Sequence, residues 1–89
     1  MLTKITSLSI HPPFGLDVRF NDGTGGVHDC AAMIAVARNL LAELRDPKVF
    51  AQVRLDHGAP TWPNDFDMDP EWLRREMQSA GELHNIAAE

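Results

Sequence analysis

The sequence is poor in cysteine, with Cys30 as its single thiol, and it has no tyrosine. One cysteine excludes an internal disulfide, and the N-terminus lacks the basic start and apolar block of an export signal, so a reducing cytoplasm is expected. No run approaches the ~18 apolar residues of a membrane-spanning helix, so no membrane segment is predicted. The 89 residues predict one small domain, for which homodimerisation is a common source of stability.

Positive charge is also scarce, with eight Lys and Arg residues against thirteen Asp and Glu residues and a formal net charge of −5. Arg74 and Arg75 form the one adjacent basic pair. Binding to a phosphate backbone needs a clustered positive face, so direct nucleic-acid binding is not expected. An acidic surface favours solubility or a basic protein partner.

The patterns of common catalytic and cofactor sites are absent as well. There is no G-x-S-x-G sequence, no phosphate loop and no dinucleotide glycine pattern. Cys30 would need a nearby base to act as a nucleophile, and a small buried thiol between a strand and a helix is its expected role. The sequence therefore predicts a non-enzymatic protein without a cofactor. A zinc site is not predicted either, because no ligand spacing relates the histidines His11, His28, His57 and His84.

Two strands are predicted at the N-terminus. The first covers residues 2–10, with Leu8 and Ile10 on one face and Ile5 on the other, and a pair of prolines ends it. The second covers residues 14–20 and alternates strictly. Its core-facing residues are Phe14, Leu16, Val18 and Phe20.

A tight turn and a third strand follow. Asn21-Asp22-Gly23 favours a hairpin turn, because Asp and Gly tolerate the backbone angles that such a turn needs. Residues 24–28 return as the third strand, in which Gly25-Gly26 is a weak point and a candidate bulge.

The main helix is predicted over residues 31–45, which contain neither glycine nor proline. Asp29 is the expected cap, and apolar residues recur at spacings of three and four. If Leu40 lies in the core, Leu40→Ala should cost roughly 2–5 kcal/mol. The apolar stripe consists of Met33, Ala37, Leu40, Leu41 and Leu44.

Two Asp-Pro pairs each predict the start of a further helix, because Asp caps a helix and Pro fits its first position. Asp46-Pro47 begins a short helix that ends at Ala51. Asp69-Pro70 begins a helix that runs to about Ser79, and Gly81 is a natural stop.

A hairpin is predicted between these two helices. Val53 and Leu55 alternate with polar residues, His57-Gly58 forms the turn, and Thr61-Trp62 returns. Val53 and Leu55 are expected to extend the apolar face of the sheet.

The predicted fold is therefore a small single α+β domain. An antiparallel sheet, made of three N-terminal strands and the later hairpin, packs against one main helix and is accompanied by a short helix and a C-terminal helix. The domain covers residues 1–80, and residues 81–89 are expected to form a loosely ordered tail.

The acidic segment from Asp65 to Glu76 approximates the spacing of a calcium-binding loop. Carboxylates fall at loop positions one, three, five and twelve, but position six, which requires glycine, is Pro70. A solvated acidic turn is the expected structure. Binding of a small ligand or a divalent metal through Asp65, Asp67 and Glu76 is kept as the alternative function.

The aromatic residues of the same segment predict a partner-binding surface. Trp62, Phe66 and Trp72 lie within eleven residues. Phe66 is expected in the core, whereas a tryptophan that is partly exposed beside carboxylates suits a protein interface. The predicted partner-binding residues are Trp62, Asp65, Asp67 and Trp72.

Several of these motifs, in this order and spacing over residues 2–73, resemble the bacterial family known as domain of unknown function 2442. One departure is visible, because the family pattern has Trp-Pro-Asn-Gly where this chain has Asp65 after Asn64. The motifs are Asn21-Asp22-Gly23, Asp29, Leu44-Arg45-Asp46-Pro47 with Phe50, Trp62-Pro63-Asn64, Asp67 and Asp69-Pro70.

The resemblance implies a small α+β domain in the bacterial cytoplasm and no established activity. It also suggests a regulatory or partner-binding accessory, antitoxin-like in its association with another small protein. Fold-level analogy of this kind carries no mechanism.

Overall fold

A computed structural model describes residues 2–86 and has the α+β architecture predicted from the sequence. A four-stranded antiparallel sheet has the order β1-β2-β3-β6, and β4 and β5 form a separate hairpin. None of the helices within residues 2–86 has the length and apolar character needed to cross a membrane. The elements are β1 (Ile5–His11), β2 (Gly15–Phe20), β3 (Thr24–Asp29), α1 (Ala31–Ala35), a 3₁₀ segment (Asn39–Arg45), α2 (Pro47–Phe50), β4 (Arg54–Asp56), β5 (Ala59–Thr61), α3 (Pro70–Ser79) and β6 (His84–Asn85).

The core lies against one face of the sheet. The strict alternation of β2 is confirmed, because its even-numbered apolar residues are buried and Asp17 and Arg19 are exposed. Helices α1, α2 and α3 and the loop after β5 supply the rest of the core. Its buried members are Ile5, Leu16, Val18, Phe20, Cys30, Ile34, Leu44, Phe50, Trp62, Met68, Leu73 and Met77.

Strand β1 corrects the predicted orientation of Ile5. The register with β2 shifts between Ile5, which lies opposite Phe20, and Ser7, which lies opposite Arg19. The extra residue, Thr6, makes a bulge that reverses the alternation of side chains. Ile5 therefore lies on the core face and is buried, rather than on the opposite face.

The predicted main helix over residues 31–45 is wrong as a continuous element. Helix α1 ends at Ala35, and a 3₁₀ segment follows after a break at which Asn39 has φ 61°. The guanidinium of Arg45 donates to the carbonyl oxygens of Ile34 at 3.0 Å and Ala35 at 3.3 Å, and also to that of Ala37. A helix can end here because the guanidinium supplies hydrogen bonds that the N–H groups of a further helical turn would otherwise donate to these carbonyls.

The break also moves Leu40 out of the core, which corrects the predicted apolar stripe. Leu40 is 46% exposed, whereas Leu44 is fully buried. Ile34, which the stripe omitted, is 2% exposed. The large stability cost expected for Leu40→Ala therefore belongs to Leu44.

Both Asp-Pro pairs begin helices as predicted. Asp46 accepts a hydrogen bond from the Lys48 N–H at 2.9 Å, and Asp69 accepts one from the Glu71 N–H at 3.1 Å. Asp29 accepts a bond from the Ala31 N–H at 2.9 Å, although Cys30 occupies the cap position of α1.

The hairpin of β4 and β5 forms at the predicted turn but does not extend the sheet. His57 and Gly58 have φ values of 52° and 81°, as a two-residue turn of the primed type requires. The Gly58 carbonyl accepts a bond from the Ile5 N–H at 2.9 Å, so the turn lies beside the start of β1. Val53 is half-buried against the core, whereas Leu55 is 36% exposed.

Gly25 and Gly26 do not form a bulge. Their lack of side chains allows the C-terminal segment to pack closely against β3. Their register with Arg19 and Val18 is continuous. A Cβ on Gly26 would lie 2.0 Å from the Glu82 carbonyl oxygen, and one on Gly25 would lie 2.5 Å from the Ile86 side chain. Both glycines are needed because this segment crosses the strand closely.

Part of the predicted tail consequently belongs to the sheet. Strand β6, at His84–Asn85, pairs with β3, and the His28 ring donates from Nδ1 to a Glu82 carboxylate oxygen at 2.7 Å. Residues 87–89 of the predicted tail lie outside the described residues.

Candidate functional site

The candidate site is built on the loop that joins β5 to α3. The Asp65 N–H donates to the Trp62 carbonyl at 3.0 Å, and the Trp62 N–H donates to the Phe66 carbonyl at 2.8 Å. The Asn64 side chain accepts from the Phe66 N–H at 3.0 Å and donates to the Leu40 carbonyl at 3.0 Å. The loop is therefore closed on itself and tied to the 3₁₀ segment.

Trp62, one of the predicted partner-binding residues, is fully buried. Its indole N–H donates to the Phe50 carbonyl at 2.9 Å, and its ring centroid lies 5.6 Å from those of Phe50 and Phe66. A buried indole of this kind is a core element. Its contribution to a surface is therefore indirect, through its support of Phe66.

Trp72 occupies a different environment. It is half-buried on α3 and lines an open apolar cleft of about 220 Å³. We call this depression the Trp72 cleft. Its walls are formed by Met33, Phe66, Asp67, Met68, Asp69 and Trp72.

Three elements position the walls of the cleft. Met33 comes from α1, Phe66 and Met68 come from the loop, and Trp72 lies in the first turn of α3. The Met68 N–H donates to the Pro60 carbonyl at 2.9 Å, and a bridge joins Asp67 to Thr61. The loop is thus held in extended form against β5.

Helix α3 is fixed to the sheet on its other side. Arg74 donates from Nε to an Asp22 carboxylate oxygen at 2.9 Å, and the Thr3 hydroxyl donates to the Glu71 carboxylate. Bonds from the Thr24 hydroxyl and N–H, together with Arg74, lower the pKa of Asp22 below its ordinary value. Trp72 is therefore presented by a helix that two side-chain contacts, at Glu71 and Arg74, hold in place.

The rim of the cleft is acidic. Asp67 and Asp69 line it and are exposed, and the exposed Asp65 is next to Phe66 in the chain. Two predicted partner-binding residues, Asp67 and Trp72, thus lie together in one depression. Asp65 adjoins it in sequence, and Trp62 lies beneath.

The acidic segment does not assemble a metal site in the described part of the chain. Residues 2–86 contain no group of three or more His, Cys, Asp or Glu side chains that could hold an ion. Asp65 lies in the loop, whereas Glu76 lies on α3, where it is exposed.

A larger depression, of about 510 Å³, lies over the outer face of the sheet. Its walls are mostly polar side chains that point away from the core, so it lacks the apolar walls that ligand pockets usually have. We therefore take the smaller Trp72 cleft as the candidate site. The side chains of the larger depression are Ser7, Ser9, Asp17, Arg19, His84 and Ile86.

Cys30 is a core residue, as predicted. It is fully buried, and this burial, with the nearby carboxylates of Asp29 and Glu82, raises the pKa of its thiol to about 12. The thiol is therefore protonated at neutral pH and is a poor nucleophile.

The chain was compared with known proteins. The family model described as "Protein of unknown function (DUF2442)" matches residues 5–79. The chain belongs to this family. No curated protein and no solved structure matches it.

Asp65 adopts a left-handed backbone conformation. Its φ is 71°. A turn closed from Asp65 to Trp62 and followed by a left-handed residue is typical of three-residue hairpin loops. Aspartate tolerates this conformation better than most residues, but glycine adopts it without steric cost.

Asp65→Gly is therefore expected to stabilise the protein by about 0.5–1 kcal/mol. For a domain of this size, such a gain raises the melting temperature by about 2–8 °C. Thermal unfolding followed by circular dichroism measures it. Asp65→Asn is the matched control, because it removes the same charge but keeps a side chain that tolerates positive φ. A melting temperature lowered in the glycine variant would contradict the left-handed assignment.

Sequence reasoning missed Met33 as a wall of the Trp72 cleft, and it missed the exposure of two apolar residues outside the cleft. Met33 was assigned to a helical core stripe, yet it is half-buried in a wall of the cleft. Leu40 and Val36 were assigned to a helix that does not continue, and they are 46% and 80% exposed. The residue type of Asn39 was the signal available in the sequence, because Asn adopts positive φ more readily than most residues and can end a helix.

Proposed function

We propose that this DUF2442 protein is a non-enzymatic interaction module that binds a protein partner through the Trp72 cleft. The observation that carries the proposal is a half-buried tryptophan in an apolar cleft whose rim is acidic. Tryptophan is enriched at the energetic centres of protein interfaces, where surrounding groups exclude water.

The size and charge of the cleft favour a partner of one particular chemistry. A volume of about 220 Å³ is below the roughly 300–1,000 Å³ of typical small-molecule pockets, and it suits one or two apolar side chains. Asp67 and Asp69 at the rim favour neighbouring Lys or Arg residues on the partner. We therefore propose an exposed apolar residue flanked by basic residues as the bound element.

A regulatory, antitoxin-like accessory role in the bacterial cytoplasm is part of this proposal. It is supported by the acidic net charge of −5, which favours a basic protein partner. The fully buried thiol of Cys30 suits a reducing compartment.

The test begins with the stoichiometric partner that co-purifies with the protein from its native host. Trp72→Ala should weaken binding of that purified partner by about 30-fold, which corresponds to about 2 kcal/mol at an interface centre. Calorimetry measures the dissociation constant. Gln78→Ala is the matched control, because Gln78 is exposed on the same helix and does not line the cleft.

Fluorescence quenching gives an independent measurement at the same site. Trp62 is fully buried, so acrylamide should quench mainly Trp72 in the free protein. Binding at the cleft should shield Trp72 and reduce the quenching constant. Unchanged quenching in the complex, or equal affinities of Trp72→Ala and the control, would remove the cleft as the binding site.

A further inference from the structure

Strand β1 forms one edge of the sheet, and most of that edge has no strand beside it among residues 2–86. The hairpin turn at Gly58 accepts the Ile5 N–H and so occupies the beginning of the strand. Residues 7–11 continue past that point. In an antiparallel strand, every second residue directs its N–H and C=O groups away from the neighbour, so this part of β1 presents backbone groups for pairing.

The usual protections of an edge strand are missing from residues 7–11. Edges are normally blocked by charged side chains, by proline or by a bulge. Residues 7–11 contain no Lys, Arg, Asp, Glu or Pro, and the bulge at Thr6 comes before them. In a chain with a net charge of −5, pairing of two copies along this uncharged strand would not place like charges opposite each other.

We propose that β1 pairs with β1 of a second copy of this chain, so that two four-stranded sheets join into one antiparallel sheet. The two-fold axis passes beside Ser9, the midpoint of the open segment. Leu8 then lies opposite Ile10 of the second copy, and Ser7 lies opposite His11 of the second copy.

The apolar side chains of β1 fit this arrangement. Leu8 and Ile10 lie on the core face but are only half-buried at the sheet edge. In the proposed register, Leu8 of each copy lies beside Ile10 of the other copy, and this contact covers the remaining apolar surface of both side chains. Cross-strand apolar pairs of this kind stabilise antiparallel sheets. This inference is independent of the Trp72 cleft and does not rest on the proposed function.

A cysteine cross-link tests the register directly. Opposed residues of an antiparallel pair have Cα atoms about 4.5–5.5 Å apart, which lies within the roughly 4.4–6.8 Å that a disulfide spans. Ser9→Cys should therefore form a covalent dimer under mild oxidation. Ser7→Cys is the matched control, because its two copies would be about 13 Å apart along the strands. The native Cys30 is fully buried and does not compete.

The solution mass provides the second test. At about 100 µM, the native protein should have twice the 9.9 kDa mass of one chain. Ser9→Lys places two ammonium groups opposite each other and should weaken the dimer at least about tenfold, whereas Ser79→Lys on α3 should not. A monomeric native protein would overturn the proposal, and so would a dimer in which Ser7→Cys cross-links as well as Ser9→Cys.

Discussion

Trp62→Ala is expected to lower the free energy of unfolding by about 3–5 kcal/mol. The indole is fully buried and lies between Phe50 and Phe66, and its N–H is bonded to the Phe50 carbonyl. Truncation leaves a cavity and removes the indole donor from the Phe50 carbonyl, which keeps only the longer bond from the Val53 N–H at 3.3 Å. Domains are stable by only about 5–15 kcal/mol, so this variant should approach the limit of folding. Urea denaturation measures the change.

The comparison with Trp72 separates stability from binding. Trp72→Ala removes a half-buried side chain from a cleft wall, so its loss of stability should be well below that of Trp62→Ala. Trp62→Phe retains apolar volume but removes the indole donor to the Phe50 carbonyl, and its loss of stability should fall between those of the two alanine variants. Equal losses for Trp62→Ala and Trp72→Ala would contradict the assignment of one indole to the core and the other to the cleft.

Local signals gave reliable predictions in this chain. The alternation of β2, the turn residues His57 and Gly58 and the two Asp-Pro caps depend on interactions within a few residues. The bounds of α3 were predicted at both ends, because Asp69-Pro70 begins it and Gly81, with φ 73°, follows it. Each of these signals acts through backbone conformation, which the sequence specifies directly.

Predictions failed where a distant group replaced a local interaction. The carbonyls at the end of α1 are bound by the side chain of Arg45, roughly three helical turns away in sequence. Gly25 and Gly26 were predicted to weaken β3 and to form a bulge, yet the Glu82 carbonyl and the Ile86 side chain occupy the space beside them. In both cases the contacting group lies far away in the sequence, so neither hydrophobic periodicity nor turn preference could predict the contact.

The candidate site shows the same division. The clustering of aromatic residues and carboxylates pointed to the segment that lines most of the Trp72 cleft, and Asp67 and Trp72 both lie in its walls. The sequence did not distinguish Trp72 from Trp62, because each tryptophan has a proline and a carboxylate within three residues of it. The distinction depends on the packing of Trp62 against Phe50, which lies in α2.

Leu44→Ala should cost about 2–5 kcal/mol, whereas Leu40→Ala should cost about 0.5 kcal/mol or less. Leu44 is fully buried and Leu40 is 46% exposed, although the two residues lie one turn apart on the helix that the sequence predicted. The two alanine variants therefore test whether residues 36–45 continue the helix or form a break followed by a 3₁₀ segment. Melting temperatures of the two variants suffice, since about 1 kcal/mol shifts such a domain by 4–8 °C.

The two outcomes have different structural meanings. A continuous helix would place Leu40 and Leu44 on the same face, because residues four apart are neighbours there, and both variants would then lose stability together. The break at Asn39 places them differently, so that only Leu44 reaches the core. Arg45→Ala should also lower the free energy of unfolding without altering either leucine, because it removes the guanidinium bonds to the Ile34 and Ala35 carbonyls at the end of α1.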